Sequence, residues 1–351
     1  MLFRPGKADT ERMTTVRKLL LAVLLVSLAG SAFGAGTFAS FNASVTNAAS
    51  TFQTGSVVLT QNDATNTCYS TGNSVAGANG GVTDTNANAA CAIAFTGSIA
   101  KPNDTATQAL TLRNDGTVNA TSGIKAYSTS NCIDANSTAS NSYFGTGSLC
   151  DTLQLKLDNS TVCIFGGGYS GEIKGTSAQP LSTNSATLTF TVANNTIIAG
   201  ANTATITAGT YGFTTATSLA QAIQSALDAA TPAAIPYIAG VGTDGAVYLA
   251  NKTAGGALPT LTSGTALATL GLSTTSTVFA ATQAASCAYD PAFTVASLRR
   301  LYTSSSAGLT VVASLNAATN QTVNIGLHVD TNAGNVFQGR KATFSLTWFL
   351  A

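Results

Sequence analysis

The chain has 351 residues, of which 8% are charged and 45% hydrophobic, with a formal net charge of +1. This balance excludes intrinsic disorder, which pairs low hydrophobicity with high net charge, and it offers no clustered Lys and Arg for a nucleic-acid partner. Thr, Ser, Asn, Ala and Gly fill much of the remainder. Hydroxyl and β-branched residues with Asn- and Gly-bearing turns predict an all-β protein.

At the N-terminus, Arg17 and Lys18 precede the apolar run Leu19–Ala29, and small residues follow. This is the pattern of a secretory signal peptide, assigned to residues 1–40 with cleavage after Gly34, Ala39 or Ser40 and with Met13 as an alternative start. The run falls short of the roughly 20 apolar residues that span a bilayer. The segment carries five of the fifteen basic and two of the fourteen acidic residues, so the remainder is slightly acidic. A secreted, extracellular or cell-surface protein is expected.

Beyond it, Phe41, Ala43 and Val45 alternate with Asn42, Ser44 and Thr46, the pattern of a strand with one apolar face. Six cysteines follow: Cys68, Cys91, Cys132, Cys150, Cys163 and Cys287. An even number in an exported chain reads as disulfides. Sequence does not choose among the pairings; the sequential set Cys68–Cys91, Cys132–Cys150 and Cys163–Cys287 is the expectation. A cysteine metal site would need C-x-x-C pairs or nearby histidines, and neither occurs.

Period-two alternation predicts strands at Val57–Thr60, Ala92–Thr96, Ala109–Arg113, Gly123–Tyr127 and Leu153–Leu157. It continues at Leu188–Val192, Leu309–Leu315, Val323–Val329 and Ala342–Leu350, with turns such as Asn79-Gly80-Gly81 and Asn114-Asp115-Gly116 between. Many short strands with polar turns predict a jelly-roll sandwich. Ser218-Leu219-Ala220-Gln221 has capping-box form, and Leu219, Ile223 and Leu227 recur at helical spacing until Thr231-Pro232, predicting a lone amphipathic helix over Ser218–Ala230. With strand-like pieces at Ala204–Thr207 and Ala246–Ala250, residues 182–282 read as a small α+β module inserted into a sandwich formed by 41–181 and 283–351. Such a module is expected to be removable, with Cys163–Cys287 clasping its base.

Four segments resemble the TasA/camelysin family of secreted fibre-forming proteins. Gly36-Thr37-Phe38-Ala39-Ser40-Phe41-Asn42 and Phe52-Gln53-Thr54-Gly55-Ser56-Val57-Val58-Leu59 are similar to that family's signal exit and first strand. Leu110–Thr117 resembles its strand and Asn-x-Gly turn, and Asn335–Trp348, with Phe337-Gln338-Gly339, its closing strands. Ile206–Tyr211, the Ser218–Ala230 helix, Asp244–Leu249 and Ala268–Leu272 resemble the IN motif of flagellin and hook proteins. The family pattern lacks this insertion and the six cysteines. The resemblance implies an all-β jelly-roll subunit of a biofilm-matrix fibre that polymerises by donor-strand complementation, with 41–52 as the donor strand and Phe41, Ala43 and Val45 as its apolar face. Partners would be copies of the same chain, with other matrix or cell-surface components. The alternative is a monomeric secreted cell-surface or carbohydrate-binding β-sandwich, a class that usually offers exposed aromatics; Trp348, the sole tryptophan, is expected to face inward.

No enzyme is expected. Camelysin relatives carry a metalloprotease label, yet H-E-x-x-H is absent and His328 is the single histidine, on the outward side of its strand. No G-x-S-x-G elbow or phosphate-binding loop occurs, and Gly166-Gly167-Gly168 reads as a turn. No cofactor is expected, with one calcium candidate in Asp330, Asn332 and Asn335, which lacks the distal Glu of an EF-hand. N-x-[ST] sequons lie at Asn42, Asn103, Asn119, Asn136, Asn159, Asn194, Asn251 and Asn320.

Overall fold

The structure is a computed structural model that describes residues 18, 20–21, 56–63, 67–70, 96–97, 101–136, 148–176, 187–212, 218–273, 277–279, 283–330, 333, 337 and 340–350. Internal contacts divide the chain into two units, Met1–Gly55 and Ser56–Ala351. The second unit is predominantly β, built of several antiparallel sheets.

The largest sheet runs in the order Thr67–Tyr69, Leu59–Asn62, Thr105–Asn114, Asn320–His328, Gln154–Asp158, Cys163–Phe165, and Thr96–Gly97 pairs with the near end of Thr105–Asn114. Its centre is the pairing of Asn320–His328 with Thr105–Asn114, in register from Asn320↔Arg113 to His328↔Thr105. Alternation places Ala106, Leu110 and Leu112 on the buried side, joined by Val323, Ile325 and Leu327 and by Leu155 and Leu157 from the next strand. A second sheet, in the order Leu309–Val312, Ile124–Tyr127, Thr347–Leu350, contributes Leu309, Val311, Ile124, Ala126 and Leu350 to the same apolar core.

The predicted turn Asn114-Asp115-Gly116 is held from within. Buried Asn114 donates from Nδ2 to the carbonyls of Val118 and Leu315, and its Oδ1 accepts from Gly116 N–H. Gly116 is required because a Cβ there would lie 2.2 Å from the Ser56 carbonyl oxygen.

A four-stranded sheet has the order Tyr237–Val241, Val247–Asn251, Glu172–Lys174, Thr277–Phe279. Glu172–Lys174 lies on the sandwich side of the expected 181/182 boundary, yet its two neighbours come from 182–282. That boundary therefore does not coincide with an edge in hydrogen bonding, and side chains from both sides of it share one core. Two two-stranded antiparallel sheets complete the region, Thr187–Phe190 with Gly209–Gly212 and, between them in the chain, the hairpin of Thr196–Ala199 with Asn202–Thr205.

The predicted helix forms over Leu219–Asp228, with Ser218 Oγ accepting from Gln221 N–H at 3.2 Å. It is not alone, which corrects the expectation of a single helix. Val295–Leu301 is a helix opened by a capping box, in which Thr294 and Ser297 satisfy each other's backbone N–H groups, and Leu149–Thr152 forms one turn capped by Ser148. The Thr294-x-x-Ser297 pattern is readable, but Ser stands where Glu or Gln usually signals the box.

The C-terminal alternation predicted one strand from Ala342 to Leu350. The structure has two, in different sheets: Arg340–Thr343 pairs with Ile133–Asn136, and Thr347–Leu350 pairs with Ile124–Tyr127. Between them Ser345 turns its hydroxyl to Ser128 and Ser130, and Phe344 and Leu346 pack partly buried on the core.

Candidate functional site

Two features stand out as places where chemistry or assembly could occur. The first is a sheet edge. Thr347–Leu350 ends its three-stranded sheet, with one side bonded to Ile124–Tyr127 and, among the described residues, no strand on the other. Leu350 is buried and Trp348 half-buried on the core, whereas Phe349 is 39% exposed. An edge of this kind presents unpaired backbone N–H and C=O groups to an incoming strand.

The edge at the far side of the four-stranded sheet is treated differently. There Gln224, from helix Leu219–Asp228, accepts from Ala239 N–H at 2.9 Å and donates to the Tyr237 carbonyl at 3.1 Å. One buried side-chain amide thus takes the place of a neighbouring strand.

The second feature is a cluster of polar side chains on the four-stranded sheet. Glu172, on an inner strand, is 2% exposed and meets Asp290, which is 9% exposed. Asp290 Oδ1 accepts from Ala292 N–H at 2.7 Å, while Glu172 Oε1 has no partner. Burial, and then the neighbouring Asp290 carboxyl, push Glu172 well above the usual carboxylate range. Burial raises Asp290 too, although the hydrogen bond with Glu172 opposes this. Two residues on, Lys174 pairs with Asp244 at 2.7 Å and lies over the Tyr248 ring. The hydrogen bond to Asp244 raises Lys174; burial works against Asp244, but Lys174 prevails and holds its carboxyl low. Burial pushes Tyr248 up to about 12.

Asp290 is delivered by the stretch 283–292, which runs against the Gly166–Gly168 turn. Gly167 and Ala288 exchange both backbone hydrogen bonds, and Ala284 N–H donates to the Gly168 carbonyl. The turn expected at Gly166–Gly168 forms locally, with Tyr169 N–H bonded to Gly166, but the three glycines also form a cradle. A Cβ on Gly166 would approach Cys287 Cβ to 2.9 Å, and one on Gly167 would approach Asp290 Cβ to 3.1 Å. Glu172 and Asp290 escaped sequence reasoning because neither belongs to a motif. The only signal was a glutamate between Gly171 and Ile173 in a chain this poor in charge.

Disulfides join Cys132 to Cys150 and Cys163 to Cys287. Cys68 is disulfide-bonded as well, and Cys91, its expected partner, lies outside the described residues. Phe41, Ala43 and Val45, with the whole segment 41–52, also lie outside them. Of the calcium candidates, Asp330 accepts from Gln154 Nε2 at 3.4 Å, and Asn332 and Asn335 are outside the described residues. Among the described residues no group of three or more His, Cys, Asp or Glu side chains could hold a metal ion. His328 is half-buried rather than simply outward: Tyr289 stacks on its ring at 4.8 Å between centroids, and Lys156 lies over the Tyr289 ring.

Several sequon asparagines serve in turns. Asn159 Oδ1 accepts from Thr161 N–H and Val162 N–H, Asn194 Oδ1 from Thr191 N–H, and Asn251 Oδ1 from Thr253 N–H. In Asn159-Ser160-Thr161 and Asn251-Lys252-Thr253 the spacing is that of an Asx turn, so the backbone accounts for these sequons without a glycan.

Compared with protein-family models, curated proteins and solved structures, the chain matches none. Among the described residues, no helix is long and apolar enough to cross a membrane.

Proposed function

We propose that the protein is a secreted structural subunit, a jelly-roll sandwich that assembles into an extracellular filament when each copy lends its N-terminal strand to the next. It performs no catalysis in this reading. The observation that carries it is the open side of Thr347–Leu350, a strand seated on the core by Leu350 and unpaired on its outer side among the described residues. The sequence supplies a complementary strand in 41–50, and ten residues of it extend about 33 Å, enough to cross a subunit boundary. Disulfides suit an oxidising, extracellular setting.

The test is truncation. A chain beginning at Phe52 is expected to stay folded and monomeric, with β-sheet circular dichroism, and to form no filaments under the electron microscope. A synthetic Phe41–Ser50 peptide in excess is expected to raise its melting temperature by binding linkage, and Val45→Asp is expected to weaken assembly by burying an unpaired charge. Filaments of the truncated chain at normal abundance would sink the donor-strand mechanism.

A further inference from the structure

Glu172 and Asp290 are both withdrawn from water and in mutual contact. Two carboxyl groups can hydrogen-bond only if one of them carries a proton, because two carboxylates are both acceptors. The donor is assigned by the remaining contacts. Asp290 already accepts from Ala292 N–H, which favours its ionised form, whereas Glu172 has no backbone donor and one oxygen with no partner at all. Glu172 therefore holds the proton and donates it to Asp290.

The surroundings do not supply a second positive charge. On the same strand, Lys174 faces the pair but is committed to Asp244 from the turn before Val247–Asn251, and Tyr248 of that strand bonds Asp244 as well. The outer strands Tyr237–Val241 and Thr277–Phe279 bring no group that titrates between acid and neutral pH, and the Gly166–Gly168 cradle and Pro291-Ala292 bring none. One proton thus stands between a hydrogen-bonded pair and two like charges buried together.

Position gives this proton a mechanical meaning. Glu172 belongs to an inner strand of the four-stranded sheet, and Asp290 to the stretch that Cys287 ties to Cys163 and that lies over Gly240 of the same sheet. We propose that Glu172 and Asp290 form a one-proton clasp that binds the 283–292 stretch to the four-stranded sheet, tightening the protein in acid and loosening it in alkali. In the unfolded chain both carboxyls ionise in the ordinary range. The folded protein keeps its shared proton to higher pH, so it binds more protons than the unfolded chain across that window. The clasp's contribution is complete below the unfolded value and is lost as pH rises through the folded one. This is the reverse of the usual behaviour of a paired carboxylate.

Two measurements on the oxidised, full mature chain test the clasp. The infrared spectrum of the native protein at pH 7 is expected to show a protonated carboxyl band that titrates away in alkali and is missing from Glu172→Gln. Above about pH 4.5, the melting temperature is expected to fall by about 3 °C per pH unit relative to Glu172→Gln, whose amide donates to Asp290 at every pH. Absence of the band from the native protein at pH 7 overturns the proposal even if the variant does not fold. Parallel melting curves for the two proteins overturn it as well.

Discussion

Gln224 illustrates how a single side chain can end a sheet. Its amide bonds both the N–H of Ala239 and the carbonyl of Tyr237, two backbone groups buried away from water. Replacing it with Leu adds apolar surface to a buried helix position, which is favourable on composition alone. The outcome expected is the opposite, since two buried polar groups lose their partners at about 1–3 kcal/mol each. Urea unfolding of Gln224→Leu should therefore show a loss of about 2–4 kcal/mol with little change in slope. Val192 teaches the converse at this scale. Alternation with Leu188 and Phe190 placed it inward, but it is 88% exposed, because the strand stops at Phe190 and Asn194 Oδ1 takes the Thr191 N–H into a turn. Local hydrogen bonding to an Asn side chain outcompeted the ladder.

Among the elements, legibility followed burial. Strands with one face to water, such as Thr105–Asn114 and Asn320–His328, carry the period-two signal. Tyr237–Val241 and Cys163–Phe165 are buried at every position, and their sequences show no alternation to find. Tyr237–Val241 holds Gly240, whose missing side chain lets the 290–292 segment cross the sheet. A Cβ there would stand 2.1 Å from the Pro291 carbonyl oxygen and 2.4 Å from Ala292 Cα. Both neighbours are backbone, so no rotamer change relieves the contact. Gly240→Ala is expected to destabilise the protein by about 3 kcal/mol or more, seen as a lower denaturation midpoint; alanine at Gly200 meets no such clash, its cost being only that of the left-handed backbone there, at φ +61°. The C-terminal strands divide for a related reason. Ala342, Phe344, Leu346, Trp348 and Leu350 keep one alternation, but the serines around Ser345 bend the chain from one sheet to another.

In the molecule as a whole, the α+β segment 182–282 is tied to the rest through Glu172–Lys174. Removing 182–282 takes away both neighbours of that strand, Val247–Asn251 and Thr277–Phe279, and exposes Ile173. It also removes Gly240, the backbone over which Pro291 and Ala292 pass, and so leaves those two residues uncovered. A chain with 182–282 replaced by a short Gly/Ser linker is therefore expected to lose its sharp thermal transition by circular dichroism, in contrast to the clean excision that the sequence pattern suggests. A cooperative transition in that deletant would mean that the four-stranded sheet contributes little to the core.

By itself the sequence determined the β class, the helix at Leu219–Asp228, most water-facing strands and the Asn114–Gly116 turn, because each rests on local propensity and periodicity. Only the tertiary structure decided which strands share a sheet, that Glu172–Lys174 joins the segment on the other side of the expected boundary, and that Glu172 meets Asp290. The carboxyl contact joins residues far apart in the chain, and its chemistry arises from burial. Burial is a property of what packs around a residue, and neither neighbouring residues nor composition reveal it.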